Sequence, residues 1–146
     1  MDSRVVLAEI SSGPVEPGSL LELVWRPSAG ATSLFVGQVR DHDPQAAGTV
    51  VSLDYTCHPS ATRVIGEILA DVLLQADPAG QARVAAVHRV GHLDVGDPAF
   101  VVAVSAPHRD LAFRLCEEVV ERAKQELPIW KQQFEADGSH RWSNLA

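Results

Sequence analysis

The sequence predicts an α+β domain built around one hydrophobic core. Strand-like runs and helix-period stripes alternate irregularly, and short Pro and Gly turns between the runs suit antiparallel hairpins. The chain has 146 residues, 46% of them hydrophobic, with mean hydropathy +0.02, enough to bury one core without disulfides or a structural metal. No repeat or low-complexity tract divides it. Residues 1–146 therefore read as a single domain with an antiparallel or mixed sheet and two main amphipathic helices.

Val5 to Ile10 is an apolar run closed by Ser11-Ser-Gly-Pro14, an opening strand and its loop. Pro17 to Trp25 suits a short helix with Pro at its start, and Arg26 to Gly30 breaks it. Ala31 to Arg40 is β-rich. A polar loop, Asp41 to Gly48, leads to Thr49–Cys57, where Val51, Leu53, Tyr55 and Cys57 alternate with polar residues, as in a half-buried strand. These two runs are expected to pair with each other.

From Pro59 to Gln75 the pairs Val64/Ile65, Ile68/Leu69 and Val72/Leu73 mark one face of a helix, which Asp77-Pro-Ala-Gly80 ends. Arg83–Val90 and Ala99–Ala106 read as strands joined by a turn from Gly91 to Pro98. Ser105 before Pro107 resembles a helix start, and Leu111 to Leu127 carries the longest apolar stripe, which Pro128 ends. That places Lys124 on the last helical turn and Lys131 just beyond it. Residues 134–146 read as a polar tail containing Arg141 and Trp142.

Twelve basic against nineteen acidic residues give a formal charge of −7, which argues against general binding to nucleic acid or an anionic membrane and requires any anion site to be local. No apolar run is long enough to span a membrane, and Met1 to Pro14 lacks the apolar stretch of a signal peptide. A cytoplasmic location is expected. Cys57 and Cys116 are far apart among apolar neighbours and read as free thiols. Six histidines show no metal-ligand spacing, so no metal is expected; G-x-S-x-G, P-loop and G-x-G-x-x-G motifs are absent.

Ten of the twelve basic residues are Arg, and both lysines fall in Lys124-Gln-Glu-Leu-Pro-Ile-Trp-Lys131. An amine can exchange its proton in ways a guanidinium cannot, which makes this stretch a candidate for chemistry. Its competing reading is a helix end, where cations favour the dipole. Two further basic clusters, Arg40 with His42 and His108 with Arg109, stand at the ends of predicted elements. The second could hold a phosphate or carboxylate at a helix N-terminus, or be a solvated first turn.

In order, Phe35-Val-Gly-Gln-Val-Arg40-Asp-His42, His88-Arg-Val-Gly91 with Gly96-Asp97, Ser105-Ala-Pro-His108-Arg109, and Lys124 with Pro128-Ile-Trp130-Lys131 resemble the catalytic (large) subunits of molybdopterin synthase. The resemblance is best over residues 30–133 and implies an α/β hammerhead-like fold. It implies molybdenum cofactor biosynthesis: cyclic pyranopterin monophosphate receives two sulfurs and becomes the dithiolene molybdopterin. The sulfur comes from a small ubiquitin-like subunit with a C-terminal Gly-Gly thiocarboxylate, and no cofactor is implied. The present sequence closes on Ser-Asn-Leu-Ala and is expected not to be that carrier. The resemblance further implies a central dimer of two large subunits within a heterotetramer, with a pocket that borrows residues across the dimer interface.

By the same resemblance Lys124 is the principal catalytic lysine and Lys131 the second. Arg40, His108 and Arg109 bind substrate, with Gln38, Val39, Gln132 and Gln133 lining the pocket, partly through backbone groups. The chain departs from many relatives where Gln133 replaces a glutamate, and in Tyr55-Thr-Cys-His58-Pro-Ser. Two other readings stay open: a non-catalytic docking module for a ubiquitin-like tail, or an unrelated enzyme acting on a phosphorylated small molecule.

Overall fold

In the computed structural model, which describes residues 2–44, 46 and 48–144, continuous apolar runs become the inner strands of a four-stranded sheet. Its order is β1 (Val5–Ser11), β4 (Arg83–Arg89), β6 (Pro98–Ala106), β2 (Ala31–Gln38). β1 runs parallel to β4, and the other pairs are antiparallel. Both faces of the inner strands are covered, which is why Val84 to Val87 and Phe100 to Val104 show no alternation of apolar with polar residues.

On one face Val84, Ala86, Val102 and Val104 pack against α2 (Ala61–Ala76) and α3 (Arg109–Glu126). On the other, Ala85, Val87, Val101 and Ala103 receive Leu20 and Val24 of α1 (Pro17–Val24). Leu69 and Leu115 are completely buried between the two long helices and the sheet; each such side chain contributes about 2–3 kcal/mol by leaving water. Arg122 of α3 pairs with Asp71 of α2 and with Glu126 one turn along. Asp77, buried just past α2, accepts hydrogen bonds from the Gln81 and Ala82 amides at 2.9 Å each and from Arg4 at 3.0 Å, fixing the turn into β4.

A second, wholly antiparallel sheet has the order β5 (Gly91–Asp94), β3 (Val50–Cys57), β7 (Ile129–Glu135), β8 (His140–Asn144). This corrects three expectations. The Ala31 and Thr49 runs are not partners: β2 pairs with β6, and β3 lies in the other sheet. The Val39 amide donates to the Asp97 carbonyl at 3.1 Å and its carbonyl accepts from the Gly96 amide at 2.7 Å, turning the chain out of the first sheet at that point.

The segment read as a turn contains β5, entered at Gly91 with φ 95° and left at Gly96 with φ 93°, conformations that glycine adopts freely. The polar tail supplies the end of β7 and all of β8. Ser105 does not cap α3: its hydroxyl is buried and donates to the Val24 carbonyl at 2.6 Å, and His108 occupies the cap position. Among the described residues no helix is long and apolar enough to cross a membrane.

Candidate active site

α3 ends where Pro128 forbids a further helical bond, and the chain enters β7 almost at once. This places Lys124, on the last turn, and Lys131, in the strand, on two walls of one cleft of about 520 Å³. The volume is ordinary for a small-molecule site. The first sheet contributes Gly37, Gln38 and Phe100; the segment beyond β2 contributes Val39, Arg40, His42 and Asp43; the second sheet contributes Leu53, Tyr55, Lys131, Gln133 and Ser143. In a chain of charge −7, Arg40, Lys124 and Lys131 thus converge on a single concavity.

The two lysines differ in their surroundings. Lys131 Nζ is largely buried and donates to Asp43 Oδ2 at 3.1 Å, whereas Lys124 is exposed to the cleft and, among the described residues, makes no ion pair. Arg40 is also exposed and able to meet a ligand.

His88 is a site residue that the sequence gave no reason to single out beyond its place in a motif. It lines the cleft at 2% exposure, with Tyr55 edge-on at 5.0 Å and Phe100 stacked at 5.2 Å between ring centres. Its Nδ1–H donates to the Arg89 carbonyl at 2.7 Å, which leaves Nε2 as the unprotonated nitrogen. Burial pushes its pKa down to about 4 against the opposing pull of that backbone bond, and the nearby Lys124 charge adds to the depression. The cleft therefore has a cationic rim and a neutral, aromatic interior.

Gln38, Val39, Arg40, Gln133 and both lysines come together in this cleft, and three other expected residues do not. The two-residue period of β7 puts Lys131 and Gln133 on the cleft face and turns Gln132 to the opposite face with Trp130 and Phe134. Val39 lines the cleft, and its backbone groups are already hydrogen-bonded to Asp97 and Gly96. His108 and Arg109 sit exposed at the start of α3, beside Gly30 and Ala31, in a separate open concavity of about 410 Å³. Within one copy of the chain they do not reach the lysines' cleft. Among the described residues no group of three or more His, Cys, Asp or Glu side chains gathers to hold a metal ion.

Comparison with known proteins identifies the family. The family model described as MoaE protein matches residues 10–126. The chain is 38% identical over 130 residues to molybdopterin synthase catalytic subunit 1 of Mycobacterium tuberculosis, covering 89% of this chain and 86% of that protein. To the molybdopterin synthase catalytic subunit of Bacillus subtilis it is 35% identical over 131 residues, covering 89% and 80%. The crystal structure of molybdopterin synthase from Staphylococcus aureus superimposes with a TM-score of 0.79 at 30% identity, over 93% of this chain and 96% of that one. With this fold and matches spanning most of its length, the chain belongs to the MoaE family of molybdopterin synthase catalytic subunits.

Proposed function

We propose that the cleft transfers sulfur from the C-terminal thiocarboxylate of a small ubiquitin-like subunit to cyclic pyranopterin monophosphate, giving molybdopterin. The observation that carries this reading is the convergence of Lys124, Lys131 and Arg40 on one cleft of an otherwise acidic chain. The substrate brings a phosphate and the carrier an anionic tail, so both need fixed cations, and a planar Arg fork suits the phosphate. Lys124, the lysine without an ion-pair partner among the described residues, contacts the thiocarboxylate and stabilises the charge that develops as sulfur bonds to the substrate. Lys131, held by Asp43, has a fixed position and serves as the second cation.

His108 and Arg109 act in the cleft of a second copy of the chain. Their exposure at the start of α3, away from their own lysines, supports this placement, and a two-fold dimer would give each cleft one such pair. The working assembly is then a central dimer with two carrier subunits, acting in the cytoplasm without a resident metal or cofactor. The test is reconstitution: this chain, a thiocarboxylated small subunit and cyclic pyranopterin monophosphate are mixed and molybdopterin is measured. Product, with two copies of each chain in the complex by mass, is expected. Complex formation without product would make the chain a docking module instead.

A further inference from the structure

Buried polar atoms without partners are uncommon in folded proteins, and each asks for an explanation. Three such side-chain atoms occur among the described residues: Arg89 Nε, Gln133 Nε2 and Ser143 Oγ. The last two line the same cleft. They also share one face of the second sheet. Ser143 lies opposite Lys131 in the β7–β8 ladder, and Gln133 is two residues from Lys131 on the same side of β7. Gln133 is only 2% exposed, so it is not a surface amide that water satisfies.

We propose that Gln133 Nε2 and Ser143 Oγ form a neutral hydrogen-bonding subsite on the cleft floor that receives a ring-carbonyl edge of the bound heterocycle. This rests on the reading of the cleft as a pterin-substrate site. The division of chemistry within the cleft favours the ring over the phosphate. Arg40, Lys124 and Lys131 supply charge for anionic groups, whereas an amide and a hydroxyl supply direction without charge. Tyr55, His88 and Phe100 stand in the same cleft and offer apolar surface to a planar ring. A carboxylate at position 133 could accept hydrogen bonds but, when ionised, could not donate one. Gln133 gives this chain a donor there.

Gln133→Met and Ser143→Ala remove the two groups at nearly constant volume. Because each deletes an unpaired buried polar atom, the unliganded variants are expected to melt no lower than the wild-type chain. Calorimetric titration of the full chain with cyclic pyranopterin monophosphate should show each variant binding roughly three- to tenfold more weakly, as expected for one lost hydrogen bond. Gln133→Glu should bind at least as weakly as Gln133→Met. A peptide bearing the carrier's C-terminal Gly-Gly should bind all of them like wild type. Unchanged substrate affinity in both Gln133→Met and Ser143→Ala, or weakening confined to the carrier peptide, would overturn the subsite. Failure of the wild-type chain to bind the substrate at all would instead overturn the functional reading on which it rests.

Discussion

Lys131 Nζ donates to Asp43 Oδ2 at 3.1 Å, joining β7 to the loop that leaves β2. The pair does two opposing things in a cleft proposed to take anions. It fixes the amine in place, and it sets a negative charge beside it. Asp43→Asn therefore separates positioning from attraction. With one negative charge removed, the substrate KM should fall roughly three- to tenfold at low ionic strength and by less at high salt. Turnover should change little, because the amide oxygen that replaces the carboxylate still accepts from Lys131 and holds it in place. Steady-state kinetics at two salt concentrations checks this, and a raised KM would contradict it.

His88 makes stability depend on pH in a predictable sense. Its folded pKa is depressed to about 4 from 6.5. Above 6.5 the ring is neutral whether the chain is folded or not, and it contributes nothing to the slope. Between 6.5 and about 4 the unfolded chain takes up a proton that the folded chain refuses, so stability falls as pH falls, by about 3 kcal/mol in total. His88→Phe keeps a ring against Tyr55 and Phe100 and removes the titration. Urea unfolding from pH 7 to 4.5 should show a shallower slope in the variant; an identical slope would contradict this.

Gly30 is required by close approach. A Cβ there would collide with the Pro107 carbonyl oxygen, backbone that cannot swing aside, while the Gly30 amide already donates to the Ala106 carbonyl at 3.0 Å. Gly30→Ala should cost about 1–3 kcal/mol, the range for forced overpacking. Because Pro107 leads directly into His108 and Arg109, activity should drop as well. Thermal unfolding measures the first effect and the reconstituted assay the second.

Glu135 ties the loop flanking the cleft to the end of the second sheet. Its Oε1 accepts from the Gly48 amide at 2.7 Å and its Oε2 from Arg141 Nε at 3.0 Å. Burial opposes ionisation, yet these two hydrogen bonds outweigh it and hold the carboxyl below its ordinary value of 4.5. The stabilisation is thus present above 4.5 and is lost as pH falls through the folded value. Glu135→Gln should lower the melting temperature at pH 7 and speed exchange of the Gly48 amide. The gap from wild type should narrow in acid.

The elements that were legible in the sequence are those whose pattern reports burial. α2 and α3 carry apolar stripes because one face meets the sheet, and β4 and β6 read as continuous apolar runs because both faces are covered. β7 escaped because three of its four inward positions, Lys131, Gln133 and Glu135, are polar or charged, while Trp130 points outward at 41% exposure. A strand whose inner face builds a polar cleft inverts the pattern by which strands are recognised. The pairing of β2 with β6 was equally hidden, since alternation shows which face is buried but not which strand is the neighbour. For the site, the clustering of two lysines in an Arg-rich chain pointed to a stretch whose lysines the fold brings to one cleft. His88 and Ser143 did not show, because their meaning comes from neighbours distant in sequence.

The central claim is that Lys124 is the cation on which sulfur transfer depends. The most direct test measures molybdopterin formed from cyclic pyranopterin monophosphate and thiocarboxylated small subunit by wild-type chain, Lys124→Ala and Lys131→Ala, with complex formation measured alongside. Loss of product by a factor of about 10²–10⁴ in Lys124→Ala, with carrier affinity nearly unchanged and a smaller loss in Lys131→Ala, is the expected result. Product formed by Lys124→Ala at a rate close to wild type would contradict it.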